Sequence, residues 1–282
     1  MSNKRKLDLV VISDVHLGTY GCRAKELLDY LRSIETERLI LNGDFIDIWQ
    51  FKKKYFPKEH MQVLHKVLKM AENGTKVYYI TGNHDDRLRR YADLTTGNLF
   101  LRNQLTIRLN RKKYWIFHGD VFDLSIQYSP FIAKLGGKGY DYLIVLNRLV
   151  NKLRIKLGKA EMSLASKIKD SVKQALKFVD DFEEKAINLA AEKDYDYVIC
   201  GHIHRPQMRA TEKGGKQIIY LNSGDWIENL TALEYKWGQW SIYRYDQSDY
   251  ATTNSCEEEE PQLDDTDNIS LFEQMVQLAA EV

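Results

Sequence analysis

The sequence has few cysteines, almost no net charge and no long hydrophobic run. Its three cysteines in 282 residues, Cys22, Cys200 and Cys256, lack zinc-finger spacing. This excludes a disulfide scaffold and favours a reducing compartment. Lysine and arginine number 41 against 40 aspartates and glutamates, a net charge of +1. No global electrostatic field therefore favours nucleic acid as a partner.

Hydrophobic segments are short throughout. No apolar run reaches the ~18 residues that a membrane-spanning helix needs. The first residues, MSNKRKLDLVVISD, hold only a brief apolar run that leads directly into acidic residues, which does not fit the core of a secretory signal peptide. We therefore expect a cytoplasmic protein.

Short apolar runs alternate with helical patterns over much of the chain. The runs are rich in β-branched or aromatic residues and lie at 9–12, 39–41, 77–80, 114–117 and 197–200. Runs of this kind predict buried strands. The alternation with helices predicts an α/β fold. Strand-like segments at 218–221 and 240–244 are expected to complete a second sheet.

Two helical patterns separate the first three runs. Each places apolar residues on one face at helical spacing: Leu27, Leu28, Leu31 and Ile34 in the first, and Met61, Leu64, Leu68 and Ala71 in the second. His60 and His65 fall on the second helix and are expected to lie away from any site.

The interval between the fourth and fifth runs differs from the rest. It contains no strand pattern, and a long helical pattern runs from about 163 to 191. Between 131 and 180, eleven lysines and arginines stand against four acids. We predict three parts: a core of residues 1–123 and 194–250, a helical cap insertion at 124–193, and an acidic, flexible tail at 251–282.

A polar motif follows each of the five runs. In chain order the motifs are Asp14-Val15-His16, Gly43-Asp44, Gly82-Asn83-His84-Asp85, His118-Gly119-Asp120 and Gly201-His202-Ile203-His204. In open α/β sheets, ligands bind beyond the carboxyl ends of the strands. Because each motif follows a predicted strand, we expect all five motifs to lie together at that edge. Carboxylate, imidazole and amide ligands suit manganese, iron or zinc. A carboxylate that bridges two such ions lets them activate water at a phosphoryl group.

The order of the five motifs resembles the calcineurin-like metallophosphoesterase superfamily over residues 9–245. The resemblance implies a two-sheet sandwich flanked by helices, with two metal ions at one end. By this resemblance, Asp14, His16 and His204 hold the first metal, Asn83, His118 and His202 hold the second, and Asp44 bridges them. His84 matches a histidine that protonates the leaving oxygen or stabilises the phosphoryl charge, which suits imidazole chemistry.

A narrower resemblance is to the UDP-2,3-diacylglucosamine hydrolase branch. It is carried by VISDVHLG, LNGDFIDIW, YITGNHD, WIFHGDVFD, CGHIHRP and YLNSGDWIENLTAL. Members of that branch use manganese, cleave a lipid A precursor into a lipid monophosphate and UMP, and carry a helical lid between the fourth and fifth motifs. One position departs from the pattern, because His84 stands where the best-known lipid hydrolases carry arginine.

Other residues are candidates for the substrate side of the site. Arg23 and Arg87 could bind phosphate oxygens, and Asp120 could contact the substrate side or orient His118. Asp47 is expected near Asp44. Asp225 is either part of a loop near the metals or a structural turn.

The sequence favours one function and leaves alternatives open. The leading interpretation is hydrolysis of a nucleotide-linked lipid pyrophosphate, with peripheral contact to the inner membrane through the cap. The basic apolar stretch 131–159 is either that lipid-facing surface or a packed helix pair. The alternative enzyme is a phosphodiesterase or nuclease of the same superfamily, although the cap lacks the stacking aromatics of nucleic-acid grooves. A non-catalytic scaffold is disfavoured because none of the metal-ligating residues that the resemblance implies is missing from the sequence.

Overall fold

A computed structural model describes residues 4–48, 55–125 and 164–250 of the chain. Most of the predicted cap and the whole predicted tail lie outside the described residues, and so do the leucines at 146, 149 and 153. Residues Met1–Tyr245 form one compact unit, and Asp246–Val282 form another, whose described part contains the short 3-10 turn Gln247–Tyr250.

The strands and helices follow the predicted alternation. The strands are β1 (Arg5–Ile12), β2 (Ile34–Asn42), β3 (Lys76–Ile80), β4 (Thr95–Thr96), β5 (Leu99–Arg102), β6 (Gln104–Leu109), β7 (Lys112–Phe117), β8 (Tyr197–Cys200), β9 (Gln207–Lys213), β10 (Lys216–Asn222), β11 (Thr231–Lys236) and β12 (Gln239–Arg244). The helices are α1 (Ala24–Ser33), α2 (Lys58–Glu72) and α3 (Leu164–Glu192), with 3-10 turns at Asp86–Tyr91 and Asp120–Ser125.

These strands form two mixed sheets. The first has the order β12-β11-β1-β2-β3-β5-β4, and the second has the order β6-β7-β8-β10-β9. Neighbours β1, β2 and β3 are parallel in the first sheet, and β7 and β8 are parallel in the second. The predicted α/β fold with two sheets and flanking helices is confirmed.

Successive side chains of β1 point to opposite faces of the first sheet and pack against different layers of the fold. Val10 and Ile12 pack with α1 and α2 on one face, while Leu9 and Val11 join the cluster between the two sheets. Because both faces of the strand are buried, its sequence is a continuous apolar run. A third cluster packs α3 on the outer face of the second sheet through Phe182 and Ala186.

Both predicted helical faces need correction. Helix α1 ends at Ser33, and Ile34 is the first residue of β2, in extended conformation. In α2 the fully buried residues are His60, Val63, Val67, Met70 and Ala71. Leu68 is 54% exposed, so the predicted face is rotated away from the core. The helix predicted from about 163 to 191 is confirmed as α3.

Candidate metal centre

Each of the five motifs begins at the carboxyl end of a strand. Asp14 follows β1, Asp44 follows β2, and Asn83 follows β3 in the first sheet. His118 follows β7 and His202 follows β8 in the second sheet. The first sheet therefore contributes three strand ends to one shared edge, and the second sheet contributes two.

At this edge the side chains form two ligand groups with metal-ligand geometry and a third group that overlaps both. Asp14, His16 and His204 form the first ligand group, and Asp44, His118 and His202 form the second. The overlapping third group consists of His16, Asp44 and His84. Within each group the ligand atoms lie within 4.8 Å of one another. The first group is the set that the resemblance assigns to the first metal, and the second contains His118 and His202 of the second set together with the proposed bridging residue Asp44.

Asp44 lies between the two groups. Its Oδ2 is 3.3 Å from His118 Nε2 and 3.9 Å from His16 Nε2. Its Oδ1 accepts a 2.8 Å hydrogen bond from the backbone N–H of His84. The carboxylate thus faces a histidine of each group, the arrangement that a bridging ligand requires. Asn83 Oδ1, in the third motif, is also buried.

The ligand residues have an unusual backbone conformation. Positive φ angles between 51° and 66° occur at Asp14, His16, Asp44, His202 and His204. Such angles are uncommon outside glycine and cluster at functional sites, where surrounding structure must hold them. Backbone hydrogen bonds from Asp14 N to Gly43 O (3.1 Å) and from His16 N to Asp44 O (2.9 Å) tie the first two motifs together here.

Glycines make room for the ligands. A Cβ on Gly43, whose φ is +82°, would collide with the imidazole ring of His118. A Cβ on Gly201 would lie 2.7 Å from Asp14 Oδ2, inside normal contact distance. These two positions require glycine because ligand side chains pass directly over the backbone.

The polar atoms at the centre fit divalent metal ions. Asp14 Oδ1, His16 Nε2 and His118 Nε2 are buried and have no hydrogen-bond partner among the described residues. Buried polar atoms are normally paired. A carboxylate oxygen and imidazole nitrogens that converge without partners are a donor set for a borderline transition metal or zinc.

Neighbouring groups orient the ligands. His118 Nδ1 is 2.9 Å from the carbonyl oxygen of Asn42, which leaves Nε2 directed to the centre. Asp120 does not make this contact, because its carboxylate forms an ion pair with Arg89. Asp225 Oδ2 lies 3.9 Å from His204 Nδ1, while its Oδ1 accepts the backbone N–H of Ile227 at 2.8 Å. Asp225 is therefore both turn-forming and close to a ligand.

Electrostatics couple the carboxylates and histidines. Burial alone would raise the pKa of Asp44, but the charge of His118, 3.3 Å away, lowers it to about 2. Burial would lower the pKa of His204, but the charge of Asp14, 3.1 Å away, raises it to about 9. Burial would also raise the pKa of Asp14, but the charges of His204 and His118 hold it well below its ordinary value. Both carboxylates at the centre are therefore ionised at neutral pH, as metal ligands must be.

His84 lies closest to a carboxylate that belongs to neither of the two ligand groups. Its Nδ1 lies 3.0 Å from Asp47 Oδ2, and its side chain is 37% exposed. Burial lowers the pKa of His84, but the contact with Asp47 and the charge of Asp44 together raise it above its ordinary value. Asp47 was expected only near Asp44, and the structure makes it the partner of His84.

The remaining candidates lie at the periphery. Arg23 pairs with Glu26 at 3.4 Å, just before α1, and Arg87 is exposed in the 3-10 turn after the third motif. His60, expected to lie away from the motifs, instead accepts the backbone N–H of Gly18 at 2.9 Å. That contact is only two residues beyond His16, and no sequence signal indicated it.

The fold and these ligand groups together define a metallophosphoesterase centre. A sequence profile of the calcineurin-like phosphoesterase family matches residues 7–206. The chain belongs to this family. The predictions of family and of a metal-dependent phosphoester hydrolase are confirmed.

Several known proteins are similar to the chain. A UDP-2,3-diacylglucosamine hydrolase of Aliivibrio fischeri (strain MJ11) is 26% identical over 243 residues, covering 84% of this chain and 98% of that protein. One from Ectopseudomonas mendocina (strain ymp) is 25% identical over 230 residues, covering 80% and 93%. Among solved structures, an archaeal phosphodiesterase matches 84% of this chain and 98% of its own, at 13% identity with a TM-score of 0.41.

Among the described residues, no helix is long and apolar enough to cross a membrane.

Proposed function

We propose that the chain hydrolyses the pyrophosphate bond of a UDP-diacylglucosamine-like lipid, giving a lipid monophosphate and UMP. The observation that carries a dinuclear mechanism is the position of Asp44, which faces one histidine of each ligand group. The lipid substrate is supported by hydrolases of that name that resemble the chain over most of its length.

The ligand roles follow from the two groups. Asp14, His16 and His204 would hold one ion, and Asn83, His118 and His202 the other. When bound, two ions bridged by Asp44 would polarise the phosphoryl oxygen and activate water for attack. The mixed nitrogen and oxygen donors suit manganese, iron or zinc, and we propose manganese.

His84 supplies the proton in this scheme. Its Nδ1 faces Asp47, which favours the protonated ring, and its partly exposed side chain is accessible to a bound phosphate. Proton donation from Nε2 to the leaving oxygen stabilises the charge that develops there. Arg23 and Arg87 are proposed to contact the substrate phosphates from the periphery, with Asp120 fixing Arg89 beside them.

The lipid part of the substrate is assigned to the proposed cap, residues 124–193. Leu146, Leu149 and Leu153 recur at helical spacing among lysines and arginines, a pattern that favours contact with acyl chains and anionic headgroups. Replacing all three with glutamine is expected to reduce hydrolysis of the acylated substrate more than that of a small soluble diester. Equal losses in a folded variant would make the cap purely structural.

A hydrolysis screen of the manganese-loaded protein tests the function. The substrates are UDP-2,3-diacylglucosamine, bis(p-nitrophenyl) phosphate, free nucleotides and DNA, with an Asp44→Asn variant as the blank. We expect UMP and lipid monophosphate as products, with the lipid substrate preferred in kcat/KM. Preference for DNA, or for soluble diesters over the lipid, would establish the alternative nuclease or phosphodiesterase.

A further inference from the structure

A second concave site lies between the starts of α1 and α2. It is a pocket of about 530 Å³, within the size range of small-molecule sites. Its walls come from the loop after β1, which includes Tyr20 and Arg23, from Tyr55 in the chain before α2, and from the first turns of both helices, including His60. Because β1 and β2 are parallel, both walls stand at the carboxyl edge of the sheet, where the metal ligands also lie.

Two short connections join the pocket to the metal centre. On one side, Gly18 N–H donates to His60 Nδ1 at 2.9 Å, two residues after His16. On the other, Arg23 N donates to Trp226 O at 3.0 Å, and Trp226 N donates to Asp14 O at 3.1 Å. The pocket is therefore built on the same loop that carries Asp14 and His16.

An aromatic surface stands at the pocket. The rings of Tyr20 and Tyr55 lie 3.8 Å apart between centroids, with their planes tilted by 33°. Tyr20 is nevertheless 77% exposed, so most of its side chain remains accessible beside Tyr55. An accessible aromatic ring at the wall of a pocket offers a surface for stacking a planar ring.

His60 contributes a hydrogen-bond donor. Since Nδ1 accepts from Gly18, the proton of the neutral ring is on Nε2. Burial lowers the pKa of His60, so the neutral form prevails. The residue is 3% exposed and contributes to the lining of the pocket. This donor suits a carbonyl oxygen of a bound molecule.

Charge and composition narrow the class of ligand. Arg23 and Lys25 are balanced by Glu26 and Glu59, so the pocket has no net charge to hold a diphosphate by itself. Carboxylates do accept hydrogen bonds from sugar hydroxyls. Aliphatic lining is sparse, with Ile227 the largest aliphatic side chain, which does not suit an acyl chain.

We propose that this pocket binds the nucleoside end of the substrate, with a carbonyl-bearing base stacked on Tyr20 and hydrogen-bonded by His60. The proposal rests on the proposed nucleotide-linked substrate. It places the uncharged nucleoside beside the metal edge, so that the adjoining phosphates reach the metal ligands while the lipid extends elsewhere.

Calorimetric binding to the manganese-loaded full chain tests the pocket without using lipid or turnover. UMP is compared with ribose 5-phosphate, which has the same phosphate and sugar but no base. We expect UMP to bind about tenfold or more tightly, from stacking of the base. Tyr20→Ala should remove most of this difference, Tyr20→Phe should keep it, and the exposed aromatic control Trp237→Ala should leave it unchanged.

A separate comparison of two nucleotides tests the proposed hydrogen bond between His60 and the base. AMP, whose base has no carbonyl oxygen, should bind the wild-type protein more weakly than UMP. Equal binding of UMP and AMP would overturn the role of His60, and a UMP preference over ribose 5-phosphate that survives Tyr20→Ala would overturn the stacking site.

The binding results distinguish failure of the pocket proposal from failure of the proposed function. Equal binding of UMP and ribose 5-phosphate to wild-type protein overturns the pocket, even when the lipid substrate is hydrolysed. Base-dependent binding that Tyr20→Ala abolishes supports the pocket, even when hydrolysis of the lipid is absent and the lipid assignment falls.

Discussion

Asp47 Oδ2 lies 3.0 Å from His84 Nδ1, so the one site histidine that is not assigned to a metal has a carboxylate partner outside the two ligand groups. The same Asp47 oxygen is 3.7 Å from His16 Nδ1. Asp47 thus lies between His84 and His16, a residue of the first ligand group.

His84→Ala should lower turnover while metal ions stay bound, because His84 is proposed to act on the leaving oxygen rather than as a ligand. General acid–base assistance is worth about 10²–10⁴-fold in rate. Steady-state kinetics with metal analysis of the same samples checks both parts. His65→Ala, on α2, is the matched control and should retain full activity. Loss of metal in His84→Ala would instead identify His84 as a ligand.

The sequence was most informative where strands are buried on both faces. Strands β1, β2, β3, β7 and β8 were all located by their apolar runs, and each precedes a motif. The edge strands β6 and β9 carry alternating, partly exposed residues. No run marks them, because only one of their faces packs on the core.

The errors on the helices have a physical cause too. Apolar residues of α2 cover a wide stripe that includes Met61, Val63, Leu64, Val67 and Leu68. Helical spacing alone does not decide which part of such a stripe faces the sheet. Contacts that join distant segments, such as His60 with Gly18 or Asp120 with Arg89, leave no local signal at all.

The metal content should be about two ions per chain after loading with manganese and removal of excess metal. Asp44→Ala should lose most of both ions, because this carboxylate faces histidines of both groups. Asp196→Asn, just before β8 and at the strand end opposite the centre, should keep both. Elemental analysis gives the stoichiometry.

A chelator should abolish activity, and manganese should restore it. A metal content of zero in the wild-type protein would contradict the mechanism.

Gly43→Ala should disrupt the metal centre, because its Cβ would collide with the ring of His118. Gly74→Ala provides a matched control. Its φ of +100° is also positive, but nothing lies within 4 Å of the added Cβ. Both variants carry a backbone penalty of roughly 1–2 kcal/mol, measurable by urea unfolding. Only Gly43→Ala should also lose metal and activity. Equal retention of metal in both variants would show that the loop relaxes around the new methyl group.

Stability should fall on mild acidification because of His60. Burial lowers its folded pKa below the ordinary 6.5, so the unfolded chain binds a proton more readily than the folded one. The resulting contribution to stability is fully present above pH 6.5 and is lost as the pH falls through the lowered folded pKa. In His60→Asn, the side-chain Oδ1 lies near the position of Nδ1 and can still accept the Gly18 N–H, but the side chain does not titrate. Urea unfolding at about pH 7.5 and about pH 5.5 should therefore show a smaller pH-dependent loss for His60→Asn than for the wild-type protein. Identical losses in the two proteins would mean that His60 is not held neutral by burial.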